Sequence, residues 1–283
     1  MILVTGANGQ VGSDVCARLQ EQSRPFLGVD VDTLDLTDEA AVQAFFASHK
    51  EITSVIHCAA YTAVDKAEDD YERCFAVNAY GTMHLAKACG SEIELLYISS
   101  DYIFGDDGVD PLETDDEANP QGIYAKSKFM GEAAVRMLCK KHYIVRTSWV
   151  FGEQGRNFIA TILRLADTHD TLRVVCDQVG APTYSRHLAA LLCEMIESGK
   201  YGDYHATNEG ACSWFELAQF ALNLAGKNVT VLPVTTEQYG AKAPRPHNSR
   251  LSKRSLDDAG FARLPTWQDA VKAYLSHRKE QNQ

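Results

Sequence analysis

Three groups of residues carry side chains whose spacing suits chemistry. Tyr124 and Lys128, in the run YAKSK, stand four apart and so share one face of a helix. A phenol with a pKa of about 10 is a poor acid at neutral pH, but a neighbouring ammonium stabilises the phenolate and brings proton exchange into range. Ser99-Ser100-Asp101 ends a short apolar run, and its hydroxyl, that of Ser100 in preference to Ser99, can bond a substrate oxygen and fix it for attack. Gly6, Gly9 and Gly12 lie in TGANGQVG, from Thr5 through Asn8 to Gly12. The spacing is GxxGxxG, and between a strand and a helix it lets a pyrophosphate approach the backbone at the positive end of the helix. A proton donor, a carbonyl-binding hydroxyl and a dinucleotide turn together predict a nicotinamide-dependent enzyme acting on a carbonyl or an alcohol.

Such groups need a frame that brings them to one edge. Short apolar runs alternate with stretches of helical period, the signature of βαβ units and a parallel sheet. Strands are expected at Ile2 to Thr5, Phe26 to Asp30, Ser54 to Cys58, Glu94 to Ser99 and Tyr143 to Thr147. Helices are expected at Gln10 to Gln20, Asp38 to Ser48, Asp70 to Cys89 and Tyr124 to Cys139, with Asp38 as an N-cap. The fold class is α/β: a Rossmann-type doubly wound parallel sheet, whose crevice lies beyond the carboxyl ends of the strands, with a smaller, discontinuous C-terminal substrate domain. After Trp149 the pattern loosens around Gly152 and Gly155, then an amphipathic stretch runs from Phe158 to Asp167. A strand at Leu172 to Cys176 and a helix at Ser185 to Ser198 are expected to return to the main sheet. Residues 1–150 and about 171–203 would then form the dinucleotide domain, and 151–170 with 204–283 the substrate domain, which adds helices at Ser213 to Ala225 and Thr266 to Arg278.

Composition narrows the class further. The 283 residues can bury a large core, and no apolar run approaches the roughly 18 residues of a membrane span. The start shows no basic region and cleavage site of a signal peptide, so a cytoplasmic location is expected. The 8 cysteines form no CxxC pair and the 9 histidines no HExxH, which disfavours a metal site. A net charge of −11 repels nucleic acid.

Several single residues are binding candidates with a plainer alternative beside each. Asp30 can accept from the adenosine ribose and repel a 2′-phosphate, which leans the choice between NADH and NADPH toward NADH, or it is a solvated loop aspartate. Asp35 can read the adenine. Ala59 and Ala60 let backbone approach the cofactor, or simply pack. Trp149 can stack on a sugar or belong to the core. Asn157 can reach a substrate or cap a helix. In the basic run from Lys242 to Arg254, Arg245 suits a diphosphate, with Asn248 behind it, whereas Lys253 and Arg254 read as a solvated charge run.

The glycine turn, the serine and YxxxK in this order resemble the extended short-chain dehydrogenase/reductase superfamily. AAYTAVDKAE, ISSDYIFGDDG, YAKSKFMGE, RTSWVFG, DQVGAPT and RPHNSRL, spread over nearly the whole chain, resemble more narrowly the dTDP-4-dehydrorhamnose reductase family. That resemblance implies reduction of the 4-keto group of dTDP-4-dehydro-L-rhamnose to dTDP-L-rhamnose with NADH or NADPH. It implies that Tyr124 gives the proton, Lys128 lowers its pKa and holds the nicotinamide ribose, and Ser100 polarises the carbonyl. It places Asp101 and Trp149 on the sugar, Gly9, Gln10 and Val11 on the pyrophosphate, Asp35 and Leu36 near adenosine, and Ala59 to Tyr61 at the cofactor. The family more often has threonine at position 100. Enteric members share a magnesium ion at a dimer interface; Asp14 could match one ligand, but Arg186 and His187 stand where another is expected, so no metal is predicted, and a homodimer is left open.

Rival readings use the same fold. A dehydratase or epimerase would hold its nicotinamide transiently, yet Asp101 is followed by Tyr102 where dehydratases carry a second carboxylate. A reductase of another keto-sugar, or a non-catalytic regulatory subunit, is the remaining alternative.

Overall fold

The structure is a computed structural model that describes residues 1–105 and 108–281. Its main sheet begins with three short strands and two longer ones: β1 (Ile2–Thr5), β2 (Phe26–Val29), β3 (Ser54–His57), β4 (Glu94–Ser100) and β5 (His142–Thr147). A sixth strand, Gly202–His205, pairs with β5, and the spatial order is Gly202–His205, β5, β4, β3, β1, β2, all parallel. The chain reverses its direction of travel between β1 and β3, the switch point at which a doubly wound sheet opens a crevice.

Helices cover both faces. On one, α1 (Gln10–Glu21) and the helix Ser185–Met195 bury Val15, Leu19, Leu188, Leu191 and Leu192 against the sheet. On the other, Val42, Phe46, Leu85, Ala86 and Val135 fill the core with the opposite side chains of the strands. Asp38 caps the helix Glu39–Ser48 by accepting from the Ala41 N–H at 3.0 Å. The expected helix from Asp70 to Cys89 forms as one run with a π-helical turn at Ala76–Gly81.

The return to the main sheet differs from expectation. The strand Thr171–Val175 pairs with Thr230–Val234 in a separate two-stranded sheet, while the helix Ser185–Met195 does pack against α1 and the main sheet. Leu172 and Val174 face a second core built by the helices Phe158–Leu165, Trp214–Leu224 and Trp267–Gln281. Alternation in Thr171–Val175, with Leu172 and Val174 buried and Thr171 and Arg173 exposed, suits a strand covered on one face, whereas a central strand of the parallel sheet is covered on both. The strand that completes the main sheet, reading GDYH, has no apolar run to announce it. No helix among the described residues is long and apolar enough to cross a membrane.

Candidate active site

The carboxyl ends of the strands open into a cleft of about 930 Å³, at the upper end of the usual range for ligand sites. Its walls bring together Gly6, Gly9, Gln10, Val11, Asp30, Asp35, Leu36, Ala59, Ala60, Tyr61, Ser100, Asp101, Tyr124, Lys128, Trp149, Asn157 and Arg245. Three expected residues lie off the walls: Asn8, Gly12 and Asn248.

The turn after β1 is shaped by close approach. Gly6 has φ +65°, and a Cβ there would come within 2.6 Å of the Ala59 backbone nitrogen. Gly12 works by packing instead of by lining the cleft: a Cβ would stand 2.0 Å from the Gly6 carbonyl oxygen, so only glycine lets α1 seat under the turn. Gly9 is the N-cap of α1 and offers no side-chain cap, which leaves the first N–H groups of the helix open to an anion. Asp30 accepts from the Asn8 N–H at 3.0 Å and the Val31 N–H at 2.8 Å, so it braces the glycine turn, and Asn8 takes part through its backbone. Asp35 is held below the usual carboxylate range by the hydroxyl and N–H of Thr37. Leu36 is buried, its carbonyl bonded to the His84 ring.

The end of β3 is held from a residue that the sequence reading missed. Asn78, buried in the π-helical turn, accepts from the Tyr61 N–H at 2.8 Å and donates to the Tyr61 carbonyl at 3.0 Å and to Ser127 Oγ at 3.0 Å. Ser127 Oγ in turn donates to the Tyr124 carbonyl at 2.7 Å. One amide thus ties the cofactor side of the cleft to the helix Ile123–Leu138 that carries Tyr124 and Lys128. Hydrophobic periodicity holds no signal for it.

Ser100 Oγ donates to Asp101 Oδ1 at 2.8 Å, while Asp101 Oδ2 is buried without a hydrogen-bond partner. Burial pushes the Asp101 carboxyl up to about 7 against the pull of the Ser100 and Ser249 hydroxyls. Tyr124 is driven well above the ordinary phenol value, by burial first and then by the Asp101 charge, with a hydrogen bond to Ser100 opposing. Burial brings Lys128 down to about 7. Its Nζ donates to the Ile98 carbonyl at 2.7 Å and sits 4.1 Å from the centre of the Tyr97 ring. Burial, not an ammonium, is therefore the largest influence on Tyr124, which holds it as a neutral phenol. The Tyr102 ring meets that of Tyr124 edge-on at 5.9 Å.

Trp149 follows β5 with φ +48°, a rare conformation for a bulky residue, and stacks face to face on Trp214 with centroids 3.6 Å apart. Trp214 also lines the cleft and is anchored by donating to Gln178 Oε1 at 3.1 Å; its place in a helix of the small lobe gave the sequence reading no reason to bring it here. Asn157 caps the helix Phe158–Leu165 by accepting from the Ala160 N–H at 2.8 Å, and its amide donates to the Gly152 carbonyl at 2.8 Å. Arg245 forms a fork with Asp65, at 2.9 and 2.7 Å, and thereby spans from the C-terminal segment to the cofactor side. Asn248 is buried off the walls, donating to the Asp110 carbonyl at 2.8 Å and accepting from Arg250 Nε at 2.9 Å, and so holds its strand. Asp14 accepts from Ser185 Oγ at 2.5 Å and lies 3.5 Å from Arg186 Nε, a donor set that a hydroxyl and a guanidinium already occupy.

The family model described as "RmlD substrate binding domain" matches residues 1–280. A solved dTDP-4-dehydrorhamnose reductase from Clostridium acetobutylicum is 40% identical with a TM-score of 0.95, covering 98% of this chain and 99% of that one. The enzyme of that name from Bacillus anthracis, solved in complex with NADP, is 37% identical with a TM-score of 0.93, covering 98% of both chains. The dTDP-4-dehydrorhamnose reductase of Mycolicibacterium smegmatis is 40% identical over 95% of this chain and 83% of its own. With the glycine turn, serine, tyrosine and lysine gathered in one cleft and relatives matched end to end, the chain belongs to the dTDP-4-dehydrorhamnose reductase family.

Proposed function

We propose that the chain reduces the 4-keto group of dTDP-4-dehydro-L-rhamnose to give dTDP-L-rhamnose. It is an NAD(P)H-dependent oxidoreductase of its family, and the observation that carries the finer reading is the single cleft shared by the glycine turn, Ser100, Asp101, Tyr124, Lys128 and Trp149. The residues present suit a dinucleotide: the Gly6 to Gly12 turn is so close that a Cβ at either end would meet backbone, and the open N-terminus of α1 faces the cleft. Gly9, Gln10 and Val11 would hold its pyrophosphate, Asp30, Asp35 and Leu36 its adenosine, and Ala59 to Tyr61 its inner half. A reduced nicotinamide bound there supplies the hydride that the ketone carbon accepts.

The chain's own groups then manage the oxygen. Tyr124 is kept protonated by burial, the form a reductase needs, and its O–H delivers the proton to the carbonyl oxygen as the C–O bond becomes an alcohol. Ser100 bonds the same oxygen once its hydroxyl leaves Asp101. Lys128 stabilises the phenolate left on Tyr124 and so favours its formation. Asp101 and Trp149 orient the sugar. Arg245, already forked to Asp65, reaches the diphosphate with its remaining donors. NADH is the preferred form because the Asp30 carboxylate repels a 2′-phosphate; Arg73, in the cleft near Asp35, narrows the difference.

Incubation of the pure protein with the keto-sugar and either nicotinamide, followed by absorbance, tests this. Stoichiometric cofactor consumption, faster with NADH and about 10²- to 10⁴-fold slower in Tyr124→Phe, is expected. Turnover without net consumption would identify an epimerase or dehydratase, and undiminished turnover in Tyr124→Phe would remove the proton donor from the scheme.

A further inference from the structure

One carboxyl on the cleft wall is unlike the others. Asp30 is half-buried and Asp35 and Asp65 are exposed, whereas Asp101 is 2% exposed and leaves Oδ2 without a hydrogen-bond partner. Its Oδ1 takes the hydroxyl of Ser100 at 2.8 Å. Ser100 has a single hydrogen to give, and its Oγ already accepts from the Tyr102 N–H at 3.3 Å. The hydrogen that would polarise a carbonyl is therefore spent on the carboxylate. The groups facing Asp101 do little to keep it charged. They are Ser100 and Tyr102 from its own turn, Tyr124 from the helix Ile123–Leu138, Ser249 from the C-terminal segment and, beyond Tyr102, Arg245. Arg245 is forked to Asp65 and Lys128 turns its Nζ to the Ile98 carbonyl, so among the described residues no cation bonds the Asp101 carboxyl.

We propose that Asp101 is a positioning residue whose own proton decides whether the Ser100 hydroxyl points at the substrate oxygen. The inference deepens the reductase reading and rests on it. As a carboxylate, Asp101 can only accept, and it draws the Ser100 hydrogen away from the substrate. As a neutral acid it carries a hydrogen of its own; the bond reverses, Oδ1–H donates to Ser100 Oγ, and the serine hydrogen turns to the carbonyl oxygen. A hydroxyl whose oxygen accepts one hydrogen bond is polarised and donates the next more strongly. Burial keeps the acid form up to about 7, so the competent arrangement is populated at and below neutral pH and is lost above it. Donors that stabilise an oxygen gaining charge must be aimed before the reaction, and a hydroxyl committed to a carboxylate is not. Tyr124 remains the proton donor throughout; the second donor to the oxygen is what Asp101 turns on and off.

The ratio of kcat/KM between wild type and Ser100→Ala, measured with the 4-keto sugar and saturating NADH from about pH 6 to about pH 8.5, reads the contribution of that hydroxyl. Titration of Lys128, itself brought down to about 7, acts on both proteins and cancels in the ratio. The expected ratio is about 10² at the acid end, what one oxyanion donor is worth, and at least about tenfold smaller at the alkaline end. Ser100→Thr keeps a hydroxyl and should follow wild type. With Asp101→Ala as the starting protein, the loss on removing the Ser100 hydroxyl should be the same at every pH. A wild-type ratio that stays constant with pH while cofactor is consumed overturns the role of Asp101 and leaves the reductase reading standing, and so does a ratio that still falls when Asp101 is alanine. A wild type that reduces no 4-keto sugar removes the reading and the inference together.

Discussion

Replacing Asp101 by asparagine should shift stability toward the variant as pH rises, because the wild-type carboxyl is buried where it resists ionisation. Its ordinary value of 3.8 is lifted to about 7. Between those values the unfolded chain has released the proton and the folded chain retains it, so stability falls as pH rises through the window and levels off above about 7. Each unit is worth about 1.4 kcal/mol, and the roughly two units between pH 5 and the folded value amount to about 3 kcal/mol. Asparagine carries no charge at either pH and still accepts from the Ser100 hydroxyl. Its Nδ2 would occupy the place of Oδ2, which has no partner, and that costs about 1–3 kcal/mol at every pH. The difference in unfolding free energy between variant and wild type should therefore move by about 3 kcal/mol in favour of the variant from pH 5 to pH 8. Urea denaturation at the two pH values measures it. An unchanged difference would refute the claim that this carboxyl is strained by burial, whatever the activity of the variant does.

Two further substitutions probe the frame. Gly12→Ala puts a methyl group 2.0 Å from the Gly6 carbonyl oxygen and must move the turn or α1, so cofactor affinity by calorimetry should fall at least about tenfold, or about 1.4 kcal/mol. Asn78→Ala removes both hydrogen bonds to the Tyr61 backbone and the one to Ser127, and urea denaturation should show a loss of about 2–4 kcal/mol; a loss below about 1 kcal/mol would mean that water replaces the amide.

Much of this architecture is legible in the sequence because local pattern and tertiary role agree there. The strand Ile2–Thr5 is apolar as far as Val4 and buried along its whole length, and the glycines that follow can do little else than turn. Agreement fails where function depends on neighbours far along the chain. Asn78 reads as a polar residue on a helix, and only the π-helical turn aims its amide at Tyr61 and Ser127. Trp214 reads as the first residue of an amphipathic helix after a Ser213 cap, and nothing local predicts its stack on Trp149. Asn248 stands near Arg245, which lines the cleft, whereas Asn248 itself pairs with Val179 across strands and lies off the walls, a difference that no local pattern shows. The strand Thr171–Val175 lies outside the main sheet although its apolar run suggests a place there, whereas Gly202–His205, which completes that sheet, is a run of only four mixed residues with no such signal.

The late sixth strand bears on how the chain reaches this state. Gly202–His205 joins β5 only after the excursion that begins the small lobe, and the helix Ser185–Met195 covers Val15 and Leu19 of α1 from about 170 residues downstream. During synthesis, then, the apolar flank of α1 stays uncovered until roughly two thirds of the chain has emerged, and the sheet keeps an open edge at β5 for as long. Contacts so distant in sequence are slow to form and leave surface available to other chains meanwhile. Solubility during expression should consequently be decided by this closing step, and a fragment ending near residue 150 would aggregate even though it holds Ser100, Tyr124 and Lys128.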